Sequence, residues 1–506
     1  MRWGYWPALY SVIFLVSFVI SASQPLVGDE EQYAIAIKDV QRYGIQPYAT
    51  YFGEPMFWKP PLSFAIYGII TAPIMGVLPE TVALRIPSLL FVVLGAVAYY
   101  LLVKDDLGEE KTKYALLILL ISLPVFGFGS RILTDIPAFA FTIIMLYALK
   151  RYAAKWNAGF LGLYAISLVI IGLTKSAAIS VLAFLLSVVY LWTSGIKEHS
   201  KMLIAVLVGA ITAGFIFFGY PLLLQGYGED AYNSGLFDLI RIVTPFLDVI
   251  IYRNLPIYVF LMLPLGVVAV FFAIKNAIKS RSILFYEIWA LSSLAAVISA
   301  WGFLPWYLLF FAPAFAYVVA RNIEDNIIDK ATIIFLVLIS LALHWGVSLA
   351  FFGVRQDSKE IMDYIKYIGD EKVMLITQLS DGTVNAVYDL PYKVIVTPEI
   401  GMGRLDAKTR NITFWGVKEN TTVPNNMRGL IYDYDNESLL PKFIDKLNKK
   451  DLYVPPVART RKYWDGGFDV IIARKDYADS IKKVAPEYKV VYTTSNNVYY
   501  VFKKES

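Results

Sequence analysis

The sequence contains no cysteine, which excludes disulfide bonds, thiolate metal sites and thiol nucleophiles. Its two histidines, His199 and His344, leave too few ligands for a histidine-based zinc site. Charged residues make up only 17% of the 506 residues, whereas a soluble protein of this size carries about a quarter. The net charge of +5 is small and lies mostly in short loops, so it does not indicate a nucleic-acid partner.

Hydrophobic residues predominate in place of charged ones. They make up 57% of the chain, aromatic residues make up 15%, and the mean hydropathy is +0.56. These values predict a polytopic α-helical membrane protein. Residues 7–26 form the first apolar run, and Ser21-Ala22-Ser23 resembles a signal-peptide cleavage site. The run is too long for a signal peptide and many more follow, so we interpret it as an uncleaved helix.

Lysine and arginine clusters in the short loops decide which apolar segments cross the membrane. Every cluster falls on the inner side if segment 61–78, which prolines interrupt, stays in the outer leaflet as a juxtamembrane helix. This arrangement predicts about eleven transmembrane helices and a cytoplasmic N-terminus in a multi-pass cell-membrane protein. After residues 7–26, the predicted spans are 81–103, 114–130, 134–150, 158–174, 176–194, 201–224, 256–274, 283–301, 304–320 and 331–352.

The composition changes abruptly near residue 355. Beyond it, strand-like runs alternate with helical stretches, a pattern typical of a soluble α/β domain. We therefore predict a transmembrane domain over residues 1–354 and an extracytoplasmic α/β domain over residues 355–506. Within the membrane part, residues 236–251 have helical spacing of apolar residues, which predicts a helix lying on the outer surface.

The predicted topology brings unusual polar residues to the outer face. They are Asp29, Glu30, Glu31, Tyr33, Glu54, Lys59, Arg131, Asp135 and Lys175. A charge at the centre of a membrane helix costs about 2.5–3.5 kcal/mol, and less near the interface. One such charge could lie at an interfacial turn with its head in water. Several on the same side favour a shared polar cavity.

An ordered set of short motifs runs through the membrane part. In chain order, the motifs are Asp29-Glu30-x-x-Tyr33, Lys59-Pro60-Pro61-Leu62, Leu84-Arg85-Ile86-Pro87-Ser88, Arg131-Ile132-Leu133-Thr134-Asp135-Ile136-Pro137, Gly172-Leu173-Thr174-Lys175 and Pro305-Trp306-Tyr307-Leu308. Over residues 1–350 this set resembles the membrane glycosyltransferases of the protein O-mannosyltransferase and aminoarabinose transferase superfamily. The resemblance implies the GT-C fold and a donor sugar carried on a polyprenyl phosphate, either dolichyl or undecaprenyl. The expected partners are this donor, membrane lipids, and an acceptor lipid, protein or glycan.

The chemistry of such a donor assigns roles to the polar residues. By resemblance, Asp29 with Glu30 beside it is the catalytic base of a single inverting displacement. Cations must neutralise the leaving lipid phosphate, and Lys59, Arg131 and Lys175 are the candidates. We expect Asp135, Tyr33 and Tyr307 to bind the sugar or the acceptor, or Asp135 to brace the cations.

Each assignment has a simpler alternative. Lys59 could be an interfacial lysine, and Lys175 could cap the C-terminal end of its helix. Tyr33 and Tyr307 could belong to an interfacial aromatic belt. Glu31 is predicted to be a solvated bystander.

Departures from the two branches leave the acceptor open. Trp58 stands where the aminoarabinose branch has glutamate, and the histidines of its structural metal site are missing, so we predict no zinc site. Acidic residues could still bind Mg²⁺ or Mn²⁺. No loop is long enough for the β-trefoil domain of the protein O-mannosyltransferases.

Two other functions stay open. Residues Tyr463-Trp464-Asp465-Gly466-Gly467 partly match a motif of the oligosaccharyltransferases, which transfer glycans to asparagine, although an aromatic-Asp-Gly turn explains them equally. A lipid-sugar transporter or flippase is the non-enzymatic alternative. Transporters place their polar site at mid-depth, whereas the charges here cluster on the outer side.

Overall fold

The structure is a computed structural model of the chain and describes part of its residues. The described ranges are 29–51, 54–56, 59–193, 198–220, 265–280, 284–298, 305–323, 352–368, 373–376, 393–398, 403–405, 412–414, 417–418, 429–431, 452–453, 469–475 and 487–504, with a few single residues between them. The chain forms two compact units: Met1–Ser23 with Lys59–Val347, and Gln24–Trp58 with Ser348–Ser506. The boundary at residue 354 stays a prediction.

Most of the described residues are helical. In chain order, the helices are α1 (Asp29–Tyr43), α2 (Leu62–Thr71), α3 (Glu80–Ile121), α4 (Leu123–Phe128), α5 (Asp135–Ala154), α6 (Ala158–Thr174), α7 (Ala177–Thr193), α8 (His199–Gly214), α9 (Leu265–Ser280), α10 (Phe285–Ile298), α11 (Ala312–Asn322) and α12 (Phe352–Ile368). A π-helical turn, Phe215–Gly219, extends α8, and a 3₁₀ segment, Pro305–Phe311, precedes α11. Helices α1 and α12 belong to the second unit and the others to the first.

The helices agree with much of the predicted membrane pattern. Among the described residues, three are long and apolar enough to cross a membrane: α3, α5, and α8 with its π-helical turn. Helix α6 has the bounds of the predicted span 158–174. Helix α2 has ten residues and a length of about 15 Å, half of a bilayer core of about 30 Å. Whether segment 61–78 crosses the membrane stays a prediction.

Of two neighbouring predicted spans, the second differs in the structure. Segments 81–103 and 114–130 were predicted as separate helices, and α3 does consist of two helical stretches, which are separated at Gly108, where φ is +74° and the backbone is not helical. The second segment then breaks at Ser122, and α4 begins. Pro124 explains the break, because it has no N–H to continue the helix and its ring clashes with the preceding turn. The predicted surface helix 236–251 lies outside the described residues, as do spans 7–26 and 331–352 except at single positions.

A glycine sets the packing of α6, α7 and α8. A Cβ atom at Gly209 would lie 2.1 Å from the Tyr164 hydroxyl and 2.7 Å from the ring of Phe184. Tyr164 is completely buried, and its hydroxyl shares a 2.8 Å hydrogen bond with Ser187 Oγ. The ring therefore has little freedom to move, and α8 approaches its neighbours closely only because residue 209 has no side chain.

We expect Gly209→Ala to destabilise the protein by about 1–3 kcal/mol, because the added methyl group overpacks this contact. Thermal unfolding in detergent measures the loss. Gly162→Ala is the matched control, since a Cβ atom there meets nothing within 4 Å and the helix-propensity gain is the same. Adding Tyr164→Phe should recover part of the loss. Equal unfolding temperatures for the two alanine variants would contradict the packing argument.

The second unit contains a hairpin and a mixed sheet. The hairpin pairs β1 (Ala49–Tyr51) with β2 (Glu54–Met56). The later strands are β3 (Val373–Ile376), β4 (Lys393–Pro398), β5 (Gly403–Leu405), β6 (Ile412–Phe414), β7 (Val417–Lys418), β8 (Gly429–Ile431), β9 (Leu452–Tyr453), β10 (Val470–Arg474), β11 (Tyr488–Thr493) and β12 (Tyr499–Lys504). The main sheet has the order β11-β12-β10-β3-β4-β8, with β9 also on β4, and β5-β6-β7 form a separate sheet.

The pairs β10–β3 and β3–β4 are parallel, and the other pairs are antiparallel. Helix α12 and the mixed sheet together agree with the α/β composition predicted for the residues after 355.

Two carboxylates join α12 to the turn between β11 and β12. Asp357 is fully buried and accepts hydrogen bonds from Thr494 Oγ1 at 2.5 Å, Asn496 N at 3.0 Å and Val498 N at 2.8 Å. Glu360 accepts from the N–H of Ser495 and the hydroxyl of Tyr492, each at 2.9 Å. Burial raises the pKa of Glu360, but the hydrogen bonds outweigh it, so the pKa lies below its usual value.

Candidate active site

The acidic stretch after the first span forms the first turn of α1. Asp29, Glu30 and Glu31 all lie in that turn, where the helix dipole stabilises negative charge. The hydroxyl of Tyr33, one helical turn later, donates to Asp29 Oδ2 at 3.2 Å. Tyr33 and Glu30 are each 1% exposed. The structure therefore brings together the predicted base and one predicted binding residue.

The prediction that Glu31 is a solvated charge is wrong. Glu31 is 0% exposed and helical rather than part of a loop. The acidic run looked like a loop because three adjacent carboxylates are unusual inside a helix. At an N-terminus, however, the unpaired N–H groups of the first turn favour them.

A buried ion pair connects the start of α5 to the end of α6. Lys175 Nζ lies 2.8 Å from Asp135 Oδ2, and the two side chains are 1% and 0% exposed. Asp135 begins α5, and Lys175 directly follows the last residue of α6. Each charge thus meets the helix terminus that stabilises it. Lys175 is the C-cap residue of α6, as the simpler alternative predicted, and it also forms the ion pair with Asp135.

Tyr307 is the third member of this group. Its ring centroid lies 4.7 Å from Lys175 Nζ, within the range of a cation–π interaction. Burying an ion costs several kcal/mol, and a close partner with good geometry offsets that cost. The ion pair and the aromatic ring together explain why a charged lysine is tolerated at this buried position.

The other candidate cations belong to the same unit. Lys59, just before α2, is 8% exposed. Arg131 is half-buried, and its guanidinium carbon lies 5.9 Å from the ring centroid of Phe128. Sequence reasoning gave no role to Arg85 in α3, which is only 3% exposed. The sequence feature that could have pointed to Arg85 is that it is a lone arginine inside an apolar run.

Helix α2 holds the segments that carry the charges. Ser63 Oγ donates to the carbonyl of Thr174 at 2.8 Å, next to Lys175. The hydroxyls of Tyr67 and Ser88 share a 2.8 Å hydrogen bond. Ser88 also donates to the carbonyl of Arg131 at 2.5 Å. Sequence reasoning missed these positioning residues, and their only signal was polar side chains in apolar helices.

The predicted site residues thus form two sets. Asp29, Glu30 and Tyr33 lie in the second unit. The first unit contains Lys59, Arg131, and the group of Asp135, Lys175 and Tyr307, whose members are in direct contact. The roles of all these residues, and one pocket shared by both sets, stay predictions.

Comparisons with known proteins agree with this architecture. Residues 58–220 match the family of dolichyl-phosphate-mannose-protein mannosyltransferases. The fold resembles the crystal structure of ArnT from Cupriavidus metallidurans bound to undecaprenyl phosphate, with a TM-score of 0.64, 14% identity, and coverage of 99% of this chain and 98% of that one. The apo state of ArnT gives a TM-score of 0.57 with the same identity and coverage. No curated protein sequence matches the chain.

The family match and the fold likeness confirm the resemblance seen in the motifs. The matched segment includes Lys59, Arg131, Asp135 and Lys175. The ArnT fold extends over nearly the whole chain. Over residues 58–220 by its sequence, and over nearly its whole length by its fold, the chain is similar to the membrane glycosyltransferases of the GT-C superfamily, to which the protein mannosyltransferases and ArnT belong.

Proposed function

We propose that the protein transfers a sugar from a polyprenyl phosphate to an acceptor at the outer face of the membrane. The observation that carries this proposal is that three cations inside the segment matching the mannosyltransferase family are buried or half-buried: Lys59, Arg131 and Lys175. A phosphate leaving group needs positive charge where its own charge develops. One ArnT structure is described as bound to undecaprenyl phosphate, which supports a lipid phosphate as the carrier.

The reaction we propose is a single displacement with inversion. An acceptor hydroxyl or amine attacks the anomeric carbon while its proton passes to Asp29, with Glu30 as the neighbouring carboxylate. The bond between that carbon and the phosphate oxygen breaks, and its electron pair leaves with the lipid phosphate. Lys59 and Arg131 neutralise this charge. If the acceptor is itself a lipid phosphate, no base is required and Asp29 only orients groups.

Lys175 has a more specific place in this scheme. Its ion pair with Asp135 supports Asp135 as the brace of a cation, one of the two roles expected for it. Lys175 then adds to the positive potential at the donor phosphate while its position stays fixed. Tyr307 beside it and Tyr33 are the proposed aromatic contacts of the sugar or acceptor. The motif Tyr463–Gly467, on which asparagine transfer would depend, lies outside the described residues.

A reconstitution assay tests the proposal. The purified protein is placed in liposomes with undecaprenyl or dolichyl phosphate that carries radiolabelled mannose, glucose or aminoarabinose, and with lipid, peptide and glycan acceptors. We expect release of bare polyprenyl phosphate together with a labelled acceptor. Movement of an unconsumed donor across the bilayer would instead show a transporter. EDTA in the same assay tests the dependence on Mg²⁺ or Mn²⁺.

A further inference from the structure

The turn that leads into α5 contains three buried oxygen atoms without a partner. They are Ser130 Oγ, Thr134 Oγ1 and Asp135 Oδ1, and they hydrogen-bond to none of the residues that the structure describes. The three residues are 4%, 2% and 0% exposed. Buried polar atoms nearly always have partners, because an unpaired one forfeits its hydration without compensation. Three within six residues therefore need an explanation.

Thr134 illustrates why helix capping does not explain them. Threonine at an N-cap usually accepts a hydrogen bond from the N–H of the second or third helical residue. Thr134 is the N-cap of α5, yet its side chain makes no such bond. The third position is Pro137, which has no N–H, and the N–H of Ile136 already donates to the carbonyl of Leu133 at 3.2 Å. The local sequence thus leaves this hydroxyl without its usual structural role.

The turn is also held in place without these oxygens. Ser88 donates to the carbonyl of Arg131 at 2.5 Å, and the Tyr67 hydroxyl shares its proton between Ser88 at 2.8 Å and the carbonyl of Leu133 at 3.3 Å. The N–H of Arg131 donates to the carbonyl of Phe128 at 2.9 Å. Main-chain contacts therefore fix the segment. The three oxygens are pre-positioned and make no hydrogen bond to the described part of the chain, which is the condition for binding a ligand with little reorganisation.

The chemistry of the three atoms specifies the ligand. An ionised carboxylate oxygen only accepts hydrogen bonds, whereas a serine or threonine hydroxyl both donates and accepts. Neighbouring hydroxyl groups of a sugar satisfy this set. A metal ion does not suit it, because the Lys175 ammonium already lies 2.8 Å from the other oxygen of Asp135. Among the described residues, no group of three or more histidine, aspartate or glutamate side chains could hold a metal ion.

We propose that Ser130 and Thr134, together with Asp135 Oδ1, form a subsite that recognises hydroxyl groups of the donor sugar. This inference depends on the proposed function, since it assigns the sugar end of the same donor. Ser130 and Thr134 are specificity-determining residues in this scheme. A site whose buried polar atoms pair with a substrate hydroxyl rejects an analogue that lacks the hydroxyl, because those atoms are then left unpaired.

Binding of glycosylated and bare lipid tests the subsite. The probes are undecaprenyl phosphate and its mannosyl, glucosyl and aminoarabinosyl derivatives, titrated into the detergent-solubilised full chain. For the sugar that binds best, wild type should prefer the glycosylated lipid. Thr134→Val, which removes only the hydroxyl, should lower that preference about 10-fold and leave the affinity for bare lipid within about twofold. Thr142→Val is the control, because that buried hydroxyl already donates to the carbonyl of Ala138 at 2.8 Å.

Monodeoxy analogues of the best donor sugar locate the contact. Thr134→Val should weaken the binding of every analogue except the one that lacks the hydroxyl bound by Thr134. Ser130→Ala should likewise weaken the binding of every analogue except the one that lacks the hydroxyl bound by Ser130. Equal weakening of bare and glycosylated lipid, or a wild type with no preference for any sugar, would overturn the subsite. Turnover in the liposome assay tests the proposed function separately. Turnover with an unaltered preference in Thr134→Val would reject the subsite alone.

Discussion

Replacing Asp29 by asparagine is expected to reduce sugar transfer about 10²–10⁴-fold, the range that general-base catalysis usually contributes. Asparagine keeps the size of the side chain but cannot take a proton from the acceptor. The carbonyl oxygen of the amide can still accept the hydrogen bond from Tyr33, which is 3.2 Å long in the native helix. The fold of α1 should therefore survive, and the loss should appear in kcat at saturating donor. Initial rates in the liposome assay provide the measurement.

Two further variants distinguish the loss of the catalytic base from other effects of a substitution. Tyr33→Phe removes the hydrogen bond to Asp29, so it should reduce the rate much less than loss of the carboxylate does. Asp363→Asn is the control, because its side chain is 52% exposed and pairs with Lys366 one turn along α12. Full activity of Asp29→Asn with a hydroxyl acceptor would show that another group is the base. Full activity with a phosphate acceptor alone would fit a reaction that needs none.

The sequence predicted best those elements whose signal is local. Helix α6 begins and ends where the apolar run does, since Asn157 caps its start by accepting from the N–H of Gly159. The ordered motifs also identified the superfamily, because each motif keeps its residues adjacent in the chain. Apolar length, however, does not show where a helix breaks. The break at Gly108 lies in the gap predicted between segments 81–103 and 114–130, but the break at Ser122 depends on Pro124 and was not predicted.

The candidate site was harder to predict because its contacts join distant residues. Asp135 and Lys175 are 40 residues apart, and nothing in either motif shows that the two side chains form an ion pair. Ser63 and Ser88 are ordinary residues in apolar helices, and only the structure shows that they hold the segments next to Lys175 and Asp135. For Glu31 the sequence signal was misleading. Its charge predicted exposure to solvent, whereas the tertiary structure buries it.

Breaking the buried ion pair should have the second large effect, and on stability as well as activity. Lys175→Met removes the ammonium but keeps most of the side-chain volume, so Asp135 keeps a buried carboxylate that has lost the partner 2.8 Å away. Removing one partner of a buried pair typically costs about 3–5 kcal/mol. Asp135→Asn should cost less, because an amide is neutral and the ammonium still lies against the Tyr307 ring, at 4.7 Å. Thermal unfolding in detergent compares the variants.

The double variant separates stability from function. Asp135→Asn with Lys175→Met leaves no buried charge at the pair, so it should be more stable than Lys175→Met alone. Residues in direct contact are expected to show an interaction energy of about 0.5–3 kcal/mol in such a cycle. If the pair only supports the fold, the double variant should also recover transfer. If Lys175 acts on the donor phosphate as we propose, transfer should stay low in the stable double variant, because neutral side chains supply no charge to the leaving group. Additive stability losses would show that the two charges are not coupled in the folded protein.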